Sequence, residues 1–237
     1  MNTFKHSGGF GDLILGLPIV MQLGNGIFYL TQQEKNVLGE LLDVQPYITK
    51  TEVLPFEEWK NIEVTHNLDL FRASQKESLI AKMYLEVFKM NFNLSQKWLF
   101  NIKPNKVAKI VIHDTGSARF PGHTVDWNVL KDYRDDCVFI GYDNDYRLFQ
   151  ERKLDIKRHE VSNLFEYAKV IEGCDLFIGN SSCPYTIAEG LKKALVIDLY
   201  IGKPQYPFGE NGHTELTREI IERYLDVGAE SNITERV

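Results

Sequence analysis

A carboxylate closes a glycine-rich turn near the start of the chain, Gly8-Gly9-Phe10-Gly11-Asp12. Two roles fit Asp12. A short acidic side chain can cap the helix that follows by accepting from its free first-turn N–H groups. The same carboxylate, held on glycine backbone at a cleft, can serve as a general base. Spacing alone favours the cap. The turn is not a dinucleotide fingerprint, because Ile14 stands where G-x-G-x-x-G needs its third glycine for close helix–strand packing. Glu34, placed roughly where a ribose-binding acid would sit, follows Thr31-Gln32-Gln33 and reads as helix surface.

A second constellation runs from Cys174 to Leu199, CDLFIGNSSCPYTIAEGLKKALVIDL. The apolar Leu176-Phe177-Ile178 reads as a strand and Leu195-Val196-Ile197 as another. Between them stand the small polar residues Asn180, Ser181, Ser182 and Cys183, then Pro184, which suits a first helical position because it has no N–H to satisfy. Tyr185 to Lys193 reads as a helix. A loop joining a strand's carboxyl end to a helix's amino end gathers free N–H groups and the positive end of the helix dipole, a setting for phosphate. A plain tight turn of small residues explains the same stretch.

Other candidates are thinner. Asp143-Asn144-Asp145 could offer hard oxygen ligands to a divalent ion, but acids are also ordinary in a first helical turn, and that reading is favoured. The six histidines, at 6, 66, 113, 123, 159 and 213, lack zinc-ligand spacing. His6 and His113 each end the first strand of one half of the chain, so both are expected at a cleft where strand carboxyl ends gather. Cys183 at a helix start would have an activated thiol, yet no base partner is apparent. Gly179-Asn180-Ser181-Ser182-Cys183 fails the G-x-S-x-G elbow of a serine hydrolase.

The elements that must position these residues alternate between strand and helix. The first half reads as a strand at Thr3–Ser7, an almost wholly apolar helix at Leu13–Leu23 that Pro18 should bend, a strand at Ile27–Leu30, a helix at Glu34–Leu42, a strand at Thr51–Leu54 and a helix at Leu79–Met90; the stretch from Phe56 to Arg72 follows no period. Turn chemistry at Asn101–Asn105 places a domain boundary between 103 and 104. Strands at Lys109–His113, Cys137–Tyr142 and Leu154–Ile156 and helices at Trp127–Tyr133, Tyr146–Lys153, Leu164–Glu172 and Glu215–Leu225 complete the second half. The alternation argues for α/β structure with mostly parallel sheets. Hydrophobic residues at 43% and charged residues at 25% are those of a globular chain, and a net charge of −6 argues against general nucleic-acid affinity. Three cysteines read as reduced core residues, and the longest apolar run falls short of the ~20 residues of a membrane span. A cytoplasmic protein is expected.

Three segments share a resemblance. GGFGDLILGLPIV, with Gly11-Asp12 and Pro18, is similar to the opening motif of the glycosyltransferase family that contains the ADP-heptose lipopolysaccharide heptosyltransferases. IHDTGSARFP resembles that family's strand running into a Gly-Ser loop with a basic residue and a proline. CDLFIGNSSCPYTIAEGLKKALVIDL resembles its strand, Asp-Ser-Gly-Pro loop, helix and following strand. The matches keep the family's order across residues 7 to 199. The resemblance implies two Rossmann-like domains facing across a cleft, the GT-B architecture, split here into 1–103 on the acceptor side and 104–237 on the nucleotide-sugar side. It implies sugar transfer from a nucleotide-sugar donor, with no metal and no cofactor. Asp12 then matches the catalytic base; Ser117 and Arg119 match residues on the donor phosphates; Gly9 and Gly11 let the backbone approach substrate, with His6 and His113 beside it. Asn180, Ser181, Ser182, Cys183 and Thr186 line the diphosphate loop. Asn180 replaces the family's loop aspartate, Cys183 its glycine and Thr186 its histidine, and the chain is shorter than typical members. A small or unusual acceptor is therefore expected, whether a glycan, a small molecule or a modified base. A catalytically silent nucleotide- or sugar-binding module, or a transferase acting on modified DNA bases, would fit the same residues.

Overall fold

A computed structural model describes residues 1–115, 124–199 and 205–231. In the first lobe, β1 (Asn2–Lys5), α1 (Phe10–Leu23), β2 (Gly26–Leu30), α2 (Gln32–Asp43) and β3 (Ile48–Val53) follow one another, then α3 (Phe56–Asn61), the short β4 (His66–Asn67), a 3-10 helix (Leu68–Ala73) and α4 (Ile80–Phe88). Its sheet has the order β3-β2-β1-β4, with every pair parallel. The second lobe holds β5 (Ile110–His113), a 3-10 helix (Trp127–Asp136), β6 (Cys137–Phe139), α5 (Asp143–Arg152) and β7 (Lys157–Arg158). It continues with α6 (Leu164–Gly173), β8 (Leu176–Asn180), α7 (Cys183–Leu191), β9 (Leu195–Asp198), β10 (Gly212–His213) and α8 (Arg218–Ser231). This sheet, ordered β10-β9-β8-β5-β6-β7, is also parallel throughout.

The strand orders decide where a ligand can bind. The chain starts each sheet in the middle, winds outward, then crosses back beside its first strand: β4 beside β1, and β8 beside β5. Crevices in open parallel sheets form at the carboxyl ends of such switch points. His6 follows β1, His113 ends β5 and Asn180 ends β8.

Alternation along the central strands builds two apolar layers. Ile110 and Ile112 of β5 and Ile178 of β8 pack with Phe149 and Ile221 on one face of the second sheet. Val111 and Phe177 face the other way and join Phe4, Leu17, Tyr185 and Ile187 in a core that runs from one lobe into the other. The connection between α4 and β5, in which the expected division at 103–104 falls, is pinned from both sides. Trp98 and Leu99 donate their N–H groups to Gly190 O at 2.9 and 3.0 Å, while Tyr47 Oη donates to Trp98 O at 2.6 Å.

Tight packing of α1 depends on one glycine. A Cβ at Gly16 would lie 2.7 Å from Cζ of Tyr84, a ring with no exposed surface. Gly16→Leu is expected to lower the urea midpoint, because overpacking of roughly 1–3 kcal/mol or more outweighs the ~1 kcal/mol of helix propensity gained. An unchanged midpoint would show that the ring can retreat.

Several expected boundaries move. α1 begins three residues before Leu13, with Gly9 as its N-cap and no side chain capping it. Asp12 therefore lies inside the first turn rather than capping it. α7 begins at Cys183, which puts Pro184 second. The strand expected at 154–156 forms instead at Lys157–Arg158, while Leu154 and Ile156 bury themselves in the second apolar layer. The aperiodic stretch resolves into α3, β4 and a 3-10 turn, each too short to show a period.

Candidate active site

The amino ends of α1 and α7 meet between the lobes. A Cβ on Gly11 would sit 3.4 Å from Cα of Cys183 and 3.5 Å from Cγ2 of Thr186, so glycine lets the two first turns touch. Beside them opens a cavity of about 640 Å3, within the size range of small-molecule sites. Gly9, Gly11 and Asp12 of the first turn, Ser181, Ser182, Cys183 and Thr186 of the second, and His113 and Tyr167 all border it.

Both helix ends lack a capping side chain. Gly9 has none to offer, and Ser182 Oγ donates to Asn180 O at 3.2 Å instead of accepting from the helix. Thr186 Oγ1 likewise donates within the helix, to Cys183 O at 2.7 Å. First-turn N–H groups that no side chain caps, at positive dipole ends, are the setting in which helices receive anions.

Asp12 is held from the first lobe's 3-10 turn. Burial pushes its carboxyl above the usual range; the Arg72 guanidinium opposes that shift, and Asp69 reinforces it. Arg72 Nη2 lies 3.9 Å from Asp12 Oδ2, and Nη1 donates to Asp69 Oδ1 at 2.7 Å. Burial works to raise Asp69 as well, but the hydrogen bonds from Ser7 and Arg72 outweigh it and hold the acid below its usual range. Asp69 thus stays ionised and anchors the arginine that leans on Asp12.

The two strand-end histidines part company. His6 is 1% exposed, lies under the turn against Phe71 and does not border the cavity. Gly8 N donates to its Nδ1 at 3.1 Å, and burial lowers its pKa to about 4, so the ring is neutral. Its Nε2 has no hydrogen-bond partner. His113 borders the cavity, donates Nδ1–H to Ile140 O at 2.8 Å and keeps Nε2 as an acceptor. Burial lowers its pKa too.

Asn180 does not reach the cavity wall. Its Nδ2 donates to Asp114 Oδ1 at 2.9 Å and to Thr115 Oγ1 at 2.8 Å, tying β8 to the segment after β5. Asp114 also takes Lys153 Nζ at 2.6 Å, and Asp198 accepts from the N–H groups of Thr124 and Val125 at 2.8 and 3.2 Å. This buried network fixes the described residues on either side of 116–123. Ser117 and Arg119, expected on the donor phosphates, lie outside the described residues.

Two further expectations are decided by burial and direction. Burial raises the Cys183 thiol to about 12, which favours the protonated form over the activated thiol expected at a helix start. Asp143 is turned to solvent and pairs with Arg158, whereas Asp145 faces the cavity, so the two acids of that motif diverge. Burial and then Asp114 raise the Asp145 carboxyl. Tyr142, Tyr167, Asp69 and Arg72 are site residues that the sequence reading passed over, and Asp145 enters it only as one acid of the Asp143-Asn144-Asp145 motif. Tyr142 falls inside the range expected for a strand but lies three residues past the end of β6.

The sequence matches no protein-family model and no curated protein. Its fold does have neighbours: the chain has the two-sheet α/β fold of the GT-B glycosyltransferases of family 9. A family 9 glycosyl transferase from Veillonella parvula superposes at a TM-score of 0.59 and 12% identity, covering 95% of this chain and 89% of that one. E. coli ADP-heptose lipopolysaccharide heptosyltransferase II gives 0.60 and 12%, over 96% and 98%. E. coli heptosyltransferase WaaC, in a structure with ADP-2-deoxy-2-fluoro heptose, gives 0.61 and 10%, over 96% and 100%.

Proposed function

We propose that this protein is a glycosyltransferase that moves a sugar from a nucleotide-diphosphate sugar to an acceptor hydroxyl without a metal. The observation that carries the reading is the amino end of α7, uncapped by a side chain, bordering the same cavity as Asp12 in the first turn of α1. The solved WaaC complex holds an ADP-sugar analogue in the same fold, which supports a nucleotide-sugar donor here. In the reaction, Asp12 takes the proton of the acceptor hydroxyl as its oxygen attacks the anomeric carbon. The bond from that carbon to the diphosphate breaks, and the nucleoside diphosphate leaves with the electron pair. Amide groups of the α7 first turn, near Ser182 and Cys183, stabilise the charge that develops on it. Ser117 and Arg119 would add to that grip, and His113 Nε2 would accept from a sugar hydroxyl. Such donors are met in the cytoplasm; no helix among the described residues is long and apolar enough to cross a membrane.

A thermal-shift panel of ADP-, GDP-, UDP- and CDP-sugars tests the donor. One nucleotide class should raise Tm, by about 2.7 kcal/mol of added stability at a hundredfold excess over Kd. A panel with no shift would sink the reading. A shift without hydrolysis or transfer, by contrast, would point to the silent binding module, which the inward-turned Asn180 favours.

A further inference from the structure

A second cavity, of about 850 Å3, opens at the carboxyl edge of the first sheet. Ser7 and Gly8 after β1, Thr31 after β2 and Leu54 after β3 border it, so it occupies the position in which parallel sheets present ligands. Its floor is aromatic. Trp59 is 7% exposed and donates Nε1–H to Tyr29 O at 3.0 Å, which fixes the indole. Phe56 stacks on that indole with centroids 6.2 Å apart and planes 19° apart, yet stays 60% exposed. A supported ring with an open face at a cavity edge is built to receive something flat and partly apolar.

The polar rim says what that is. Gln32 and Gln33 offer amides, and Ser7 a hydroxyl. Among the described lining residues one cation, Lys60, is matched by one anion, Glu34. The Glu34 carboxylate is itself engaged, accepting from Thr31 N at 2.7 Å and Thr31 Oγ1 at 2.9 Å. No excess positive charge is available there to hold a phosphate or a sugar acid. Phe10, at the amino end of α1, borders this cavity and the donor cavity alike. The two cavities thus share Phe10, which stands two positions before Asp12 in the first turn of α1.

We propose that this groove is the acceptor subsite and that it takes a neutral pyranoside, the C–H face of the sugar against Phe56 and its hydroxyls on the Gln32, Gln33 and Ser7 rim. The electron-rich face of an aromatic ring attracts the slightly positive C–H hydrogens of a pyranose, whereas a carboxylate there would lose water in a groove where Glu34 offsets the charge of Lys60. The inference rests on the transferase reading for the word acceptor, but the binding itself does not.

Saturation-transfer NMR on the full chain, with methyl glucoside, galactoside and mannoside and the methyl glucuronide as acidic counterpart, tests it. At least one neutral glycoside should bind with transfer strongest to one ring face, and the glucuronide should bind more weakly. Phe56→Ala should cut that affinity about tenfold, Phe56→Trp should keep it, and the far-UV spectrum of both should match the parent. The proposal is overturned if the glucuronide binds as tightly as the neutral sugars, if Phe56→Ala binds as the parent does, or if none of the glycosides binds. A donor-induced Tm shift with no glycoside binding removes this subsite and leaves the transferase standing; glycoside binding with no donor shift does the reverse.

Discussion

Asp12→Asn should lower sugar transfer by roughly 10²- to 10⁴-fold while leaving the donor-induced Tm shift in place. The amide matches the carboxylate in size, so the first turn of α1 keeps its shape, and the α7 amides proposed to hold the diphosphate are untouched. What disappears is the only group proposed to take the acceptor proton. A variant that still turned over within about tenfold of wild type would assign the base elsewhere. The pH profile adds a second readout. Burial raises the Asp12 carboxyl and the Arg72 guanidinium pulls it back, so the active, ionised form is lost on the acid side. Arg72→Gln removes the opposing charge. The acid limb of kcat/KM should move to higher pH, with activity at low pH reduced and activity at high pH largely restored. Loss of rate at every pH by the same factor would make Arg72 a structural brace instead of a tuning residue.

Much of this architecture is written in apolar runs. β8, α7 and β9 could be placed because two strands buried on both faces must read as continuous Leu, Ile, Val and Phe, and the same holds for α1. The start of α1 was not legible, since Gly9 caps it without a side chain; that silence made Asp12 look like the cap. Nor could the histidines be separated. His6 and His113 stand in like places at the ends of first strands, and only tertiary packing sets one beneath Phe71 and the other at the cavity. Asn180 looked like a ligand because it is polar at the end of an apolar strand, yet it spends its amide on Asp114 and Thr115. Asp69 and Arg72 escaped for a different reason. They sit on a 3-10 turn after a two-residue strand, elements whose length carries no periodicity, and their importance comes from reaching a residue some sixty positions away in the chain.

The same corner gives the chain an acid-sensitive joint. His6 is 1% exposed and carries a pKa lowered from 6.5 to about 4, chiefly by burial; Asp69 pulls it up and Arg72 pushes it further down. Because the unfolded chain takes up the proton near 6.5 and the folded one resists until about 4, unfolding is favoured progressively across that window as pH falls. The stability is fully present above 6.5. At about 1.4 kcal/mol per unit, the loss on acidification is on the order of 3 kcal/mol. His6→Asn keeps a short acceptor for Gly8 N but cannot titrate. Urea unfolding of the variant should therefore show a drop between pH 6.5 and 4 smaller than the wild-type drop by about that amount. Equal drops would mean that His6 takes its proton in the folded state without resistance. The consequence reaches the site, because a proton on Nδ1 would face the Gly8 N–H now donating to it at 3.1 Å. Two donors would then oppose each other at the root of the turn that carries Gly9, Gly11 and Asp12, so acid should loosen the proposed base's support before it unfolds the chain.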